Sequence, residues 1–230
     1  MRLNAFLAKA GVASRRGADE LIKAGRVTVN GRAGRLNDDV TDNDEIKVDN
    51  HLTKLQQYRT ILLYKPAGYI TTMRDPKGRR KVTDLVRVSE RVVPVGRLDY
   101  DTTGALLLTN DGEMAHRLTH PSFGVDKVYE AEVKGNITDG ILHVLSTGVK
   151  LQDGKSAPAK ARKISDTKVE LIIHEGRKHQ VKRMLGTAGL PVAKLHRSGY
   201  AFLNLAGLRP GKWRDLTKEE VQKLQQLVYS

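Results

Sequence analysis

The chain begins with two runs in which apolar residues recur at helical spacing. The first run consists of Leu3, Phe6, Leu7 and Ala10. This spacing predicts a helix that ends at Gly11. The second run predicts a helix over 15–24, because Ser14 is a good N-cap before it and Gly25 closes it.

The pattern then changes to alternating apolar and polar residues. A short strand is predicted over 27–29, a hairpin turn at Asn30-Gly31 and a further strand over 45–48. The segment that follows has no clear period. The predicted organisation is a small α/β domain over 1–49, a linker over 50–58 and a larger domain over 59–230.

The larger domain is dominated by short apolar or alternating runs. Strands are predicted over 61–64, 92–95, 105–108, 128–133, 159–164, 169–173, 192–195, 200–205 and 213–216. Helices are predicted over 83–86 and 141–145, after Gly112, from about Arg177 and after Thr217. His196 and Arg197 fall between two predicted strands. Because helices interrupt the strands irregularly, we expect an α+β fold with a mostly antiparallel sheet.

Charge is the most informative property of the composition. The 230 residues include 40 Lys and Arg, 26 Asp and Glu and no cysteine, and their net charge is +14. A polyanionic partner is indicated, and nucleic acid is favoured over a membrane because no strongly amphipathic basic helix stands out. Without cysteine, disulfides, thiolate metal sites and cysteine nucleophiles are excluded. No apolar run reaches about eighteen residues, and we expect a cytoplasmic protein.

The segment 95–112 contains the candidate chemistry. Asp99 precedes a polar, turn-prone stretch, and the apolar run 105–108 follows. A carboxylate on a short connection between buried segments is held rigidly yet is accessible from one side, as a nucleophile or general base must be. The alternative is that Asp99 and Asp101 only cap a turn or pair with Arg97.

This segment resembles the signature of the bacterial ribosomal-RNA pseudouridine synthases related to RsuA and RluB. The matching residues are Gly96-Arg97-Leu98-Asp99, Thr102-Thr103-Gly104, Leu106-Leu107-Leu108 and Thr109-Asn110-Asp111-Gly112. The resemblance implies the pseudouridine-synthase fold with a cleft across the sheet, and it implies that Asp99 is catalytic. The implied reaction cleaves the glycosidic C–N bond of uridine, rotates the uracil and forms a C–C bond at C5. The resemblance implies no cofactor, neither nucleotide nor metal.

Tyr129 lies in a second segment that resembles the family, Lys127-Val128-Tyr129. The resemblance implies that Tyr129 lies against the target base. A flipped base needs a flat π face, and a phenol can also handle a proton. Taken alone, a tyrosine in a strand is also explained by packing between strands.

The segment 174–185 resembles the family's basic motif, which places a lysine or arginine against the catalytic carboxylate. By position Lys182 is our first choice for this role and Arg183 the second. A cation there favours the ionised carboxylate that a nucleophile requires. The alternative is a basic helix face that is solvated or contacts phosphate, and it fits Arg177 and Lys178 better.

The first domain resembles the small RNA-binding domain first seen in ribosomal small-subunit protein four. Residues implied to face the RNA backbone there are Lys9, Arg15, Arg16, Lys23 and Arg26. Arg15 and Arg16 open a helix where its dipole disfavours cations, which favours an RNA contact over a solvated face. The loop 74–81 carries five positive charges and predicts a phosphate contact, with a solvated loop as the alternative. Further RNA-binding candidates are Arg74, Arg79, Arg80, Arg97, Arg177 and Arg183.

Partners and target follow from the resemblance. We expect ribosomal RNA as substrate, free or in a subunit assembly intermediate, and a monomer with no membrane partner. His116 and His120 are spaced to hold a metal, but without an evident third ligand we expect none. The segment 200–207 is similar to the RluB branch and favours large-subunit RNA, whereas His-Gln-Val-Lys-Arg-Met at 179–184 is closer to RsuA. The alternatives are small-subunit RNA, transfer RNA or a non-catalytic assembly factor.

Overall fold

The structure, a computed structural model, describes residues 1–229, which form two compact units. The first unit comprises Met1–Arg59, Val88–Val92 and Thr109–Gly112. The second comprises Thr60–Arg87, Val93–Leu108 and the chain from Glu113 onward. The division into functional domains remains a prediction.

The first unit is built from two helices and a four-stranded antiparallel sheet in the order β2-β1-β3-β4. Its elements are α1 (Leu3–Lys9), α2 (Arg15–Lys23), β1 (Val27–Val29), β2 (Arg32–Ala33), β3 (Ile46–Val48) and β4 (His51–Leu52). The predicted N-cap is confirmed, since Ser14 Oγ accepts a hydrogen bond from the Gly17 amide at 3.1 Å. The predicted hairpin turn is also confirmed, and Asn30 and Gly31 both have positive φ. Strand β4 was not predicted, because a two-residue strand is too short for a period.

The second unit contains most of the remaining elements. The strands are β5 (Thr60–Lys65), β6 (Val93–Pro94), β7 (Thr103–Thr109), β8 (Lys127–Val133), β9 (Lys150–Leu151), β10 (Gly154–Lys155), β11 (Lys160–Ser165), β12 (Lys168–Ile173), β13 (Val192–Tyr200), β14 (Leu203–Asn204) and β15 (Trp213–Asp215). The helices are α3 (Gly112–Thr119), α4 (Asp139–Thr147), α5 (Gln180–Thr187) and α6 (Lys218–Tyr229), with 3-10 turns at Val82–Asp84 and Pro121–Phe123. Over residues 1–229, no helix combines the length and the apolar character needed to cross a membrane.

One large sheet organises this unit, with the strand order β11-β12-β8-β13-β7-β5-β15. The pairs β11–β12, β12–β8, β8–β13 and β15–β5 are antiparallel. Strands β13 and β7 are parallel. The predicted α+β fold with a mostly antiparallel mixed sheet is therefore confirmed.

The prediction was wrong around residues 196 and 197. These residues do not separate two strands but lie inside the continuous strand β13. Their backbones pair with β8 on one side, where Arg197 is opposite Tyr129, and with β7 on the other, where it is opposite Gly104. A polar pair in an apolar run resembles an interruption unless its tertiary partners are known.

Two helices also differ from the prediction. Helix α5 begins at Gln180 and not near Arg177, because His179 has the left-handed backbone conformation with φ 52°. The predicted helix over 83–86 is a 3-10 turn at Val82–Asp84. The C-terminal helix is confirmed with its cap, since Thr217 and Glu220 exchange hydrogen bonds of 2.9 and 3.2 Å.

A core packed on strand β7 supports the site. Leu107 is fully buried and packs in one cluster with residues from α3 and α6, including Leu118 and Leu224. Tyr200 joins this cluster, and its hydroxyl donates to the Leu118 carbonyl at 2.7 Å. The core therefore fixes β7, and with it the loop before β7 that carries Asp99.

Candidate active site

A cavity of about 660 Å³ in the second unit brings together segments that are far apart in the chain. It is lined by the loop before β7, by β8, by residues 173–181 and by the end of β13. Four predicted site residues line it: Asp99, Tyr129, Arg97 and Arg177. Its volume is within the range of about 300–1,000 Å³ that is usual for ligand pockets.

A completely buried lysine holds the loop that carries Asp99. Lys65, at the end of β5, donates to the carbonyls of Thr102, Asp99 and Pro66 at 2.7, 2.9 and 3.1 Å. Burial lowers the pKa of Lys65 to about 8, although Asp101 and Asp99 act in the opposite direction. Sequence reasoning missed this role, because Lys65 only marked the end of a strand.

Two further contacts hold the same loop. Thr71, itself buried, donates through Oγ1 to the Leu98 carbonyl at 2.8 Å and accepts from the Leu98 amide at 3.2 Å. The Gly68 amide donates to the Tyr100 carbonyl at 2.8 Å. The backbone around Asp99 is thus held on both sides, while its side chain is 30% exposed.

The Asp99 carboxylate faces two basic side chains. Lys182 Nζ lies 3.6 Å from one oxygen, and His179 Nε2 lies 3.4 Å from the other. Lys182 also donates to Asp101 at 2.6 Å, and this hydrogen bond holds the pKa of Asp101 below its usual value. Arg183 instead forms two hydrogen bonds with Asp153, at 2.9 and 3.0 Å. Of the two predicted cations, Lys182 is therefore the one beside Asp99.

Sequence reasoning also missed His179. Its left-handed backbone is sterically costly for a residue with a Cβ, and such conformations concentrate at functional sites. The turn before it is stabilised by the buried side chain of Gln180, which accepts from the Arg177 amide at 3.0 Å and donates to Glu175 at 2.7 Å. The left-handed backbone angle of His179 leaves no pattern in a single sequence, so the sequence carried no signal that could have identified this residue.

Tyr129 lies on the inward side of β8, where burial alternates along the strand. Its ring is 9% exposed, and its hydroxyl accepts a hydrogen bond from Arg197 Nη1 at 3.3 Å. Arg197 is only 2% exposed and also donates through Nε to the Ala105 carbonyl at 2.6 Å. Sequence reasoning missed Arg197 because it placed this residue between strands.

Lys127, two residues before Tyr129, points to the same side of β8 and lines the cavity. It is 5% exposed and donates to the His174 carbonyl at 2.8 Å. Burial lowers the pKa of Lys127 to about 8, with the charge of Arg197 acting in the same direction.

The predicted RNA-binding residues of this unit fall into two groups. Arg74, Arg80 and Arg97 are exposed, and Arg97 lies at the cavity. The other group is engaged by carboxylates: Arg79 contacts Asp75 at 2.7 Å, Arg177 contacts Glu175 at 2.9 Å and Arg183 contacts Asp153. The Arg79 contact lowers the pKa of Asp75 to about 2. The arginines of the first group suit phosphate contacts, whereas those held by carboxylates, of which Arg79 is also exposed, stabilise loops.

In the first unit, Arg15, Arg16 and Lys23 are exposed on α2. The other two candidates there have partners. Arg26 forms an ion pair with Asp49 through hydrogen bonds that include one of 2.8 Å, and Lys9 lies 4.9 Å from the centre of the Tyr58 ring.

His116 and His120, which have the spacing of metal ligands, contact one another with ring centroids 5.4 Å apart. His120 also packs on Phe123 and hydrogen-bonds to Ser122. In the described part of the chain, no group of three or more His, Asp or Glu side chains is arranged to hold a metal ion.

Known proteins resemble the chain over both units. The family described as RNA pseudouridylate synthase matches residues 59–187, and the S4 domain matches residues 1–46. The "ribosomal large subunit pseudouridine synthase B" of Bacillus subtilis is 48% identical, with 99% of this chain and 96% of that protein covered. The protein of the same name from Yersinia pestis is 39% identical, with coverage of 99% and 76%. A solved "pseudouridylate synthase" structure matches with a TM-score of 0.73 and 30% identity over 97% and 99% of the two chains.

Proposed function

The chain belongs to the RNA pseudouridylate synthase family, in the branch related to RsuA and RluB, and on this premise we propose that it converts a specific uridine of large-subunit ribosomal RNA to pseudouridine. The observation that supports this most is the convergence of Asp99, Tyr129 and Lys182. The ring lines the same cavity as the acid, and the ammonium is 3.6 Å from the acid's carboxylate.

In the proposed mechanism Asp99 acts on the nucleoside, either by attack or by removal of a sugar proton. Its backbone is held by Lys65 and Thr71, so the carboxylate is positioned before the substrate arrives. Lys182 supplies the counter-charge and is itself oriented by Asp101. His179 is a second basic neighbour of the carboxylate.

The target uridine must leave its stack to reach Asp99, and Tyr129 provides the face on which the extruded base lies. Arg97 is exposed at the same cavity and is suited to the phosphate of the extruded nucleotide. We also propose that Arg15, Arg16 and Lys23 bind the RNA backbone. The proposed enzyme acts in the cytoplasm as a monomer, on ribosomal RNA that is free or in an assembly intermediate.

The proposal is tested by Asp99→Asn, measured as tritium release from RNA that contains 5-tritiated uridine. We expect no detectable turnover, with a Kd for RNA within about twofold of the parent, because the substitution is isosteric and removes only the nucleophile or base. The matched control is Asp101→Asn, which also removes a carboxylate from Lys182 and should keep turnover within about tenfold. Full activity of the Asp99→Asn protein would refute the assignment.

The target is tested by mapping pseudouridine in RNA from cells that lack the protein. The two relatives named for the large subunit favour the loss of one modification from large-subunit RNA. The loss of a site from small-subunit RNA would instead support the alternative indicated by residues 179–184, and the loss of a site from transfer RNA would support the remaining alternative target. An unchanged modification pattern would argue for a non-catalytic role.

A further inference from the structure

Two buried cations that line the cavity have only neutral partners. Arg197 contacts the Ala105 carbonyl and the Tyr129 hydroxyl, and Lys127 contacts the His174 carbonyl. Both lie near the face of Tyr200, at 5.2 and 5.7 Å from its ring centre. Within residues 1–229, neither forms an ion pair.

This arrangement is unusual, because buried charges are normally paired with opposite charges. The acid whose charge raises the pKa of Lys127 is Asp126, which itself contacts Lys160 at 4.0 Å. Arg197 Nη2 is buried and has no hydrogen-bond partner in the described residues. Arg197 and Lys127 both line the cavity, so two positive charges are in place before any ligand is bound.

The proposed reaction supplies the missing negative charge. If Asp99 acts on the sugar, the electron pair of the C1′–N1 bond moves onto N1 and is shared with O2 and O4 of the uracil. If Asp99 instead adds to C6, the pair of the C5–C6 double bond moves to O4. In the second route the C1′–N1 bond then breaks and leaves its electron pair on N1. In both routes the pair available at C5 forms the C1′–C5 bond, a proton leaves C5 and N1 is protonated. Asp99 is regenerated, because its bond to C1′ or C6 breaks or the proton it removed returns to the sugar, so no oxidant or reductant is needed.

We propose that Arg197 is a catalytic residue that stabilises this transient negative charge on the uracil ring, with Lys127 as a second source of positive charge. This inference rests on the proposed function. A preorganised cation in a site with little water stabilises developing charge without reorganisation at the moment of reaction. A backbone phosphate is a less suitable ligand, since Arg197 is only 2% exposed, with the ring centres of Tyr129 and Tyr200 at 5.9 and 5.2 Å, whereas Arg97 is exposed at the same cavity.

The experiment compares Arg197→Gln with the parent on two RNAs, one with uridine and one with 5-fluorouridine at the target position. Loss of the N-glycoside is followed under single-turnover conditions by nuclease digestion and chromatography. With uridine we expect a loss of rate of about 100-fold or more, while the Kd for RNA stays within about threefold. Fluorine withdraws electrons and stabilises the anionic pyrimidine. With 5-fluorouridine, the loss of rate caused by Arg197→Gln should therefore be at least tenfold smaller than with uridine.

Three other results would refute the inference, and a fourth would refute the proposed function. An equal loss on both RNAs would indicate a structural role and refute the inference, as would an unchanged rate. A defect confined to RNA affinity would indicate a phosphate contact and also refute it. A parent protein that is inactive on both RNAs would refute the proposed function itself.

Two variants serve as controls. Arg214→Gln breaks an ion pair with Glu220 on another part of the fold, so it should leave the ratio of the two rates unchanged. If Arg197→Gln does not fold, Lys127→Gln tests the same claim. Its loss of rate with uridine should be smaller than the loss expected for Arg197→Gln, and the loss should again be reduced when the target is 5-fluorouridine. A loss in Lys127→Gln that fluorine does not reduce would refute the inference.

Discussion

Lys65 is a buried charge whose contacts determine where Asp99 lies. Its ammonium has three protons and three carbonyl partners, two of them in the loop that holds the acid. The charge is therefore used to position backbone and not to bind a ligand. A residue of this kind affects chemistry without touching the substrate.

We expect Lys65→Met to lower the single-turnover rate about 100-fold through misplacement of Asp99, and the free energy of unfolding by about 3 kcal/mol through unpaired carbonyls. Tritium release and urea unfolding measure the two effects. Lys218→Met, at an exposed position on α6, should change neither. An unaltered rate in Lys65→Met would show that the loop is held by other contacts.

Lys127 leads to a prediction about pH. Its pKa of about 8 means that the side chain is charged below pH 8 and neutral above it. The charged groups that act on it are Arg197, which favours loss of the proton, and Asp126, which opposes the loss. If its positive charge assists the reaction, the rate falls as pH rises from 7 to 9.

Lys127→Arg should therefore show a higher ratio of the rate at pH 9 to the rate at pH 7 than the parent, because a guanidinium stays charged throughout this range. Lys65 titrates near the same pH in both proteins, so its contribution cancels in the comparison. Identical pH profiles would contradict a role for the Lys127 charge.

At the scale of elements, the parallel pairing of β7 with β13 depends on a glycine. Gly104 has φ 121°, and a Cβ placed there would lie 2.2 Å from the Arg197 carbonyl oxygen. Any larger residue would force the strands apart. Such a separation would displace Arg197 and the end of the Asp99 loop together.

We expect Gly104→Ala to lower the free energy of unfolding by about 3 kcal/mol or more, from backbone strain and the clash with β13. The matched control is Gly112→Ala at the start of α3, where an added Cβ would have no atom within 4 Å. Denaturant unfolding of both proteins is the measurement. A Gly104→Ala protein that is as stable as the control would mean that the strands adjust without cost.

At the scale of the whole molecule, positive charge is distributed unevenly. Of the net charge of +14, residues 1–55 carry +2 and residues 56–230 carry +12. The small net charge of the first segment does not exclude a strong RNA contact. Arg15 and Arg16 are exposed at one end of α2, whereas Asp38 and Asp49 of this segment pair with other arginines.

The double variant Arg15→Ala/Arg16→Ala tests this contact through the salt dependence of RNA affinity. Each lost phosphate contact should reduce the slope of log Kd against log salt concentration by about 0.7–0.9. The slope measured for the double variant should therefore be smaller than that of the parent by about 1.4–1.8. Lys47→Ala, whose side chain pairs with Glu45 in the same unit, should leave the slope unchanged. An unaltered slope in the double variant would place the RNA elsewhere.

The sequence by itself determined the elements whose signals are local. Helix α2 with its Ser14 cap, the turn at Asn30-Gly31, the alternating strand β8 and the capped helix α6 all follow from period and capping chemistry. Resemblance to a known family singled out Asp99, Tyr129 and Lys182. The structure places Asp99 and Tyr129 at one cavity and the Lys182 ammonium 3.6 Å from the Asp99 carboxylate. Their catalytic roles stay predictions.

Only the tertiary structure decided the contribution of Lys65, Lys127, His179 and Arg197. In the sequence Lys65, Lys127 and Arg197 are polar residues at the ends of apolar or alternating runs, and His179 lies in a basic segment. Polarity alone indicates exposure or a break. A buried charge is stable only through its partners, and here these are remote, since 34 residues separate Lys65 from Asp99 and 92 separate Arg197 from Ala105. No local pattern records such a partner, because the contact exists only after the sheet has assembled.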